Sequence, residues 1–113
     1  MATESGVANY VEEKILNTVH TEITSSEYVL PSNTRTIISN LLSTNMIFNF
    51  DSDTTDKEIV VIFKLDESIP SDFQCTFNAA LAWQNDNVPT WEAGKTYEIS
   101  IFNNLAVYTS YVV

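Results

Sequence analysis

The sequence predicts an all-β protein, an antiparallel β-sandwich or jelly roll of about six to eight strands with a short N-terminal helix or arm. Thr, Val, Ile, Phe and Tyr recur in short runs, and these residue types favour strands over helices. In several runs apolar and polar residues alternate, which is the period of a strand with one buried face. Short polar links separate the runs, and this spacing is typical of sandwiches and jelly rolls.

Length and composition fit one domain with a core of its own. The chain has 113 residues, of which 44% are apolar and 12% aromatic. Its net charge is −10, and its five basic residues are scattered along the chain. Nucleic acids need grouped Lys and Arg, and anionic membranes also repel an acidic chain. We therefore expect neither a nucleic-acid partner nor a membrane partner.

The single cysteine, Cys75, cannot form a disulfide within the chain, so stability must come from packing or assembly. The sequence begins without a basic region followed by an apolar run, so no signal peptide is predicted. No apolar stretch approaches the length that spans a membrane. These features predict a protein that is made and folded in a cytoplasm.

The first element is a predicted helix over residues 7–19. Its apolar residues repeat at four-residue spacing, and they are Val7, Val11, Ile15 and Val19. Valine and isoleucine are weak helix formers, so two interpretations stay open. The stripe packs on the protein's own sheet, or the segment is an arm that docks on another protein. The domain organisation predicted is a helix or attachment arm at 1–19 and a β domain at 20–113.

Residues 20–65 contain several predicted strands. Three short edge strands are predicted at Glu22–Thr24, Tyr28–Leu30 and Thr36–Ile38. Pro31 lacks the N–H group that a strand ladder needs, so it marks an edge or an end. Residues 45–51 alternate cleanly, and residues 57–65 are apolar on both faces, which indicates a central strand. The polar link between these two runs predicts a hairpin.

Residues 73–83 show the strongest alternation in the chain and are predicted as one long strand. This phase places Cys75 inside, as a small buried hydrophobe, and Trp83 at the end of the core. Residues 96–102 and 105–113 form the last predicted hairpin around Asn103–Asn104, which tolerates positive φ. The residues predicted to share one face of the final strand are Leu105, Val107, Tyr111 and Val113.

No pattern predicts catalytic residues or a cofactor, and we expect a protein that is not an enzyme. His20 stands alone without a zinc-binding neighbour, and the chain lacks a nucleophile elbow. The densest acidic cluster contains Asp51, Asp53 and Asp56. Carboxylates on a loop bind calcium, but the glycine and distal glutamate of an EF-hand are missing. A solvated turn is the favoured interpretation, and calcium is the weaker one.

The aromatic residues near the end of the chain raise the question of a binding platform. Trp83 follows the buried face of its strand, whereas Trp91 lies in a loop between Pro89 and Gly94. The predicted contact surface for a glycan or receptor is therefore Trp91 with the polar turn Asn85, Asp86 and Asn87. Aromatic faces stack on sugar rings, and amide and carboxylate groups bind hydroxyls.

Residues 88–101 resemble a segment of bacteriophage fibre and other virion β modules. The shared pattern is P-x-W-x-x-G-K-x-Y, with an upstream F-x-x-x-L-x-W, and it is carried by Pro89, Trp91, Gly94, Lys95 and Tyr97 and by Phe77, Leu81 and Trp83. The resemblance covers roughly residues 45–113. It is a structural signature without a catalytic motif.

The resemblance implies a virion structural protein, made in the host cytoplasm, that works as a homo-oligomer, often a trimer. The chain has no collagen-like or coiled-coil shaft. A head-fibre, decoration, collar or neck protein that docks on other virion proteins is therefore favoured over a tail-fibre tip. The alternative is a carbohydrate or host-receptor binding module. The residues predicted for attachment are Val7, Val11, Ile15 and Val19.

Overall fold

The computed structural model describes residues 16–112, which are mostly β-strand. Its strands are β1 Asn17–Thr21, β2 Glu27–Leu30, β3 Thr34–Ile38, β4 Met46–Phe50, β5 Glu58–Lys64, β6 Cys75–Phe77, β7 Ala82–Trp83, β8 Lys95–Phe102 and β9 Leu105–Val112. A short 3-10 turn covers Gln84–Asp86. Within this range there is no helix with the length and hydropathy to cross a membrane.

The strands form a six-stranded sheet in the order β1-β3-β5-β8-β9-β7 and a three-stranded sheet in the order β2-β4-β6. From β1 to β7, consecutive strands alternate between the two sheets. The connection between two successive strands of one sheet therefore contains a strand of the other sheet. The neighbouring strands joined in this way, such as β1 and β3 or β2 and β4, are parallel. The antiparallel hairpin β8–β9 lies between β5 and β7.

The pairing corrects the predicted antiparallel arrangement. Of the seven ladders between the described strands, only β5–β8 and β8–β9 are antiparallel. The predicted hairpin over residues 45–65 is also wrong, because β4 and β5 belong to different sheets. Alternation along a strand shows that one face is buried, but it carries no information about the partner. The central position of β5 is confirmed, since β3 and β8 flank it.

The predicted helix is wrong for its last residues. Val19 lies in β1 and pairs with Thr36 in a parallel ladder. β1 also crosses the predicted boundary between residues 19 and 20. Val7, Val11 and Ile15 lie outside the described residues.

Two other segments depart from the predicted strands. The segment Glu22–Thr24 forms no strand, because the Asn40 side chain takes the place of a partner. The Ile23 N–H donates to Asn40 Oδ1 at 2.8 Å, and Asn40 Nδ2 donates to the Ile23 carbonyl at 2.8 Å. Residues 73–83 split into β6 and β7, because the chain changes sheets between them. The alternation of inner and outer residues nevertheless continues across the break.

Both sheets contribute to the core. The ring centroid of Phe48 in β4 lies 5.6 Å from that of Phe63 in β5 and 5.3 Å from that of Phe77 in β6. Phe48 is fully buried, and Cys75 is buried as predicted. Burial raises the pKa of the Cys75 thiol, which keeps it protonated and unreactive.

The last strand faces the opposite way from the prediction. Ala106 is fully buried, whereas Leu105, Val107 and Tyr111 are 45%, 39% and 36% exposed. The two-residue turn Asn103–Asn104 pairs Phe102 with Leu105, and paired residues point to the same side of a sheet. Because the residues of β8 that enter the core are Tyr97, Ile99 and Ile101, Phe102 points outward and Leu105 follows it. Val113 lies outside the described residues.

The turn before β8 requires a glycine. Gly94 has φ of +78°, and a Cβ atom there would lie 3.3 Å from Glu67 Cγ. We expect Gly94→Ala to lower the free energy of unfolding by about 1–2 kcal/mol, because an L-residue is strained at this φ. Urea denaturation measures this difference. Ala93→Ser, in the same turn, is the control, and an unchanged midpoint for Gly94→Ala would contradict the expectation.

Candidate functional site

The six-stranded sheet has an outer face, formed by the side chains of β3, β5, β8 and β9 that alternate with the core residues. Its members are Arg35, Ile37, Glu58, Val60, Ile62, Lys64, Glu98, Ser100, Phe102, Leu105, Val107, Thr109 and Tyr111. Phe102 is 54% exposed and adjoins Leu105 on the neighbouring strand. Among residues 16–112 no element covers these side chains. Large apolar side chains exposed side by side, as Phe102, Leu105 and Val107 are here, are typical of a protein-protein contact.

A shallow cavity of about 520 Å³ runs over this outer face. Its lining combines apolar and charged side chains, among them Leu16, Arg35, Glu58, Val60, Phe102 and Val107. Leu16, which lines this cavity, is the first residue that the structure describes. The cavity therefore lies where β1, β3, β5, β8 and β9 present their outward side chains.

The charges on the outer face cancel. Arg35 and Lys64 are basic, Glu58 and Glu98 are acidic, and the chain as a whole carries −10. The Tyr111 hydroxyl donates to Glu98 Oε2 at 2.7 Å, and this bond raises the pKa of Tyr111. Because the excess acidic charge lies elsewhere on the chain, the outer face is well suited to contact a protein without strong repulsion.

A second concave feature, the aromatic groove, lies between β6 and residues 88–91. Its volume is about 580 Å³, and its aromatic lining consists of Phe73, Phe77, Trp83 and Trp91. Gln74, Thr76 and Thr90 supply polar groups beside these rings. Clefts of this size that combine aromatic walls with polar groups are typical of small-molecule and glycan sites.

Trp91 is a wall of the aromatic groove and not a free-standing side chain. Its ring centroid lies 4.9 Å from that of Tyr97, 6.0 Å from that of Phe63 and 6.4 Å from that of Phe73. The indole is thus partly buried and packs against the core. Trp83 also packs on the core, with Phe77 at 6.1 Å. The structure brings the two tryptophans together along one groove.

The loop that carries Trp91 is held by one buried hydroxyl. Tyr97 Oη donates to the Thr90 carbonyl at 2.5 Å and accepts from the Glu92 N–H at 2.7 Å. Burial raises the pKa of Tyr97, so the hydroxyl keeps the proton that it donates. A side chain of the sheet therefore fixes both backbone groups that flank Trp91.

The polar turn predicted to share a surface with Trp91 lies elsewhere. Asn85, Asp86 and Asn87 are exposed. Asn85 and Asn87 line a separate cavity of about 360 Å³ together with Val107. The structure thus places the turn at the border of the outer face and Trp91 in the aromatic groove.

The acidic residues considered for calcium hold turns. Asp51 Oδ1 accepts from Ser32 Oγ at 2.6 Å, and Asp51 Oδ2 accepts from the Ser32 N–H at 3.1 Å. Asp53 accepts from the Thr55 N–H at 2.8 Å. The Asp56 N–H donates to an asparagine side chain of the β8–β9 turn. In the range 16–112, no three or more His, Cys, Asp or Glu residues are grouped to hold a metal ion.

The Asp51–Ser32 bonds should make stability depend on pH. Hydrogen bonds from the Ser32 hydroxyl and then from its N–H hold the pKa of Asp51 below its ordinary value of 3.8. The stabilisation is therefore complete above pH 3.8 and is lost as the pH falls through the lowered pKa. We expect Ser32→Ala to destabilise the protein near neutral pH, by an amount that shrinks in acid. Urea denaturation at a series of pH values measures this, and a pH-independent difference would contradict it.

The outer face was missed by sequence reasoning, although a signal for it existed. A two-residue turn at Asn103–Asn104 fixes which residues of β8 and β9 are opposite one another. Combining this register with the inward phase of Tyr97 and Ile99 would have placed Leu105 and Val107 outside.

Comparisons with protein-family models, with curated proteins and with solved structures gave no match to the chain.

Proposed function

We propose that the protein is a structural component of a phage virion, of the head-fibre, decoration, collar or neck type. It acts by homo-oligomeric assembly and by docking on other virion proteins. The observation that supports this function most strongly is the outer face, where Phe102, Leu105 and Val107 are exposed side by side. The resemblance of residues 88–101 to virion β modules points in the same direction.

The proposal includes a sandwich arrangement of the two sheets. Phe48 and Phe63 come from different sheets, and their rings lie 5.6 Å apart. Such a sandwich buries one face of the six-stranded sheet and leaves its other face for assembly. In this arrangement the two packed sheets form one rigid domain, and its outer face is free to contact other proteins.

The predicted attachment residues now separate into two groups. Val19 belongs to β1 and lies in the row that contains the buried Thr36, so it contributes to the domain. Val7, Val11 and Ile15 remain the proposed attachment arm, joined to the domain at Leu16. Leu16, which follows the proposed arm in the sequence, lines the cavity on the outer face.

Purified phage particles test this function. We expect mass spectrometry to find the protein in particles, and Val107→Glu to lower its copy number per particle at least tenfold, because a charge enters the apolar contact. Val29→Glu is the matched control, since Val29 is 51% exposed on β2 of the other sheet. Circular dichroism verifies that both variants fold. Absence of the protein from particles, or equal incorporation of both variants, would refute the proposed function.

The second candidate function is carbohydrate or host-receptor binding, and the aromatic groove favours it. Trp91→Ala is a poor test because the indole packs against Phe63 and Tyr97. The exposed polar residues Gln74 and Thr76 allow a cleaner one. On a glycan array, this function predicts binding that falls at least tenfold in the double variant Gln74→Ala/Thr76→Ala. An array without any bound glycan rejects it.

A further inference from the structure

The outward side of β5 carries an acid at one end and a base at the other. Its outward residues are Glu58, Val60, Ile62 and Lys64, which alternate with the buried Ile59, Val61 and Phe63. Six residues of strand separate Glu58 from Lys64 by about 20 Å, so they cannot pair within one chain. Among residues 16–112 the one ion pair joins Lys95 and Glu92.

We propose that the partner of the outer face is a second copy of this chain, stacked face to face with β5 antiparallel to β5. A two-fold axis at Val61 exchanges the ends of the strand. It therefore brings Lys64 of each copy to Glu58 of the other and Val60 to Ile62. The proposal rests on the proposed function only in taking the outer face as the assembly surface.

The neighbouring strands fit the same two-fold axis. Paired residues on neighbouring strands form rows across the sheet. Phe102 and Leu105 lie in the same row as Glu58, and Thr96 and Tyr111 lie in the same row as Lys64. Exchange of the two rows places Leu105 of one copy against Tyr111 of the other and Phe102 over the position of Thr96, which is itself only 8% exposed. Phe102 and Leu105, the most exposed apolar side chains of the outer face, are thereby covered across sheets about 10 Å apart.

The charge of the chain also favours this face for self-contact. A chain with a net charge of −10 repels its own copy, and the repulsion is smallest where charges cancel. On the outer face Arg35 and Lys64 balance Glu58 and Glu98. The four strands of the outer face, about 4.8 Å apart and about 23 Å long, span roughly 440 Å² in projection. A stable interface needs about 800 Å² of accessible surface per partner, so the stack must use the whole face.

Sedimentation equilibrium on the full chain tests the two-fold stack by charge reversal. We expect a dimer for the wild type and at least tenfold weaker association for Lys64→Glu and for Glu58→Lys, because each creates like-charge contacts at both ends of β5. The double variant Glu58→Lys/Lys64→Glu should restore the dimer. Lys57→Glu and Glu22→Lys are controls that match the two single changes in net charge but lie outside the outer face.

The possible outcomes distinguish the two-fold stack from binding of another partner to the outer face. A chain that stays monomeric at all concentrations overturns the proposal, as does a dimer that the double variant fails to restore. A dimer that is insensitive to charge reversal but is lost in Val11→Glu would mean that the arm binds the outer face. This result would also overturn the two-fold stack. A monomeric wild type whose Val107→Glu variant is still lost from particles would reject the stack and the homo-oligomeric part of the proposed function, and would retain docking on other virion proteins.

Discussion

Phe48→Ala should lower the free energy of unfolding by about 3–5 kcal/mol, because it removes a large side chain that is fully buried. Phe48 is fully buried, and its ring lies between Phe63 of the six-stranded sheet and Phe77 of its own sheet. Alanine would leave a cavity where the two sheets meet. A domain of this size has only about 5–15 kcal/mol of stability, so this loss is a large part of the total.

Urea denaturation followed by tryptophan fluorescence measures the effect of Phe48→Ala. Ile47→Ala is the control, because Ile47 is the next residue of β4 but is 39% exposed on the other side. We expect this control to cost about 1 kcal/mol or less. Equal losses for the two variants would mean that Phe48 does not join the sheets.

Tyr97→Phe should lower the free energy of unfolding by about 1–3 kcal/mol, although it removes a single oxygen atom. The Tyr97 hydroxyl satisfies the Thr90 carbonyl and the Glu92 N–H, and phenylalanine leaves both without this partner. The loop that holds Trp91 would then lose its anchor. We therefore also expect a change in Trp91 fluorescence and faster amide exchange at Glu92.

Tyr108→Phe is the matched control for Tyr97→Phe. Tyr108 stacks on Tyr97 with ring centroids 6.3 Å apart, but its hydroxyl makes no hydrogen bond to a residue in the range 16–112. We expect this variant to have nearly wild-type stability. Wild-type stability for Tyr97→Phe as well would show that water replaces the hydroxyl at the loop.

Three of the strands could be read closely from the sequence because alternation is a local property. β4, β5 and β8 begin and end within about two residues of their predicted positions. The pairing could not be read, because a parallel ladder between β3 and β5 leaves no mark in either strand. The polar link at residues 51–56 suits a hairpin and a crossing between sheets equally well.

The candidate sites were only partly predictable for a similar reason. The usual rule places the larger apolar residues of a strand inside, and in β9 it selects Leu105 and Val107 over Ala106. The structure does the reverse, because the register with β8 decides which side faces the core. Trp91 was correctly placed in a loop, but its packing on Tyr97 depends on contacts between elements.

The alternation of strands between two sheets governs how the chain can fold. β3 acquires its second neighbour only when β5 has formed, and β4 likewise waits for β6. During synthesis these strands therefore emerge from the ribosome with one unpaired edge each. Partners so distant in sequence lose much chain entropy before they gain contacts, which predicts refolding in milliseconds to seconds. Among the described strands, β8 and β9 form the one ladder that can close locally, across the two-residue turn Asn103–Asn104.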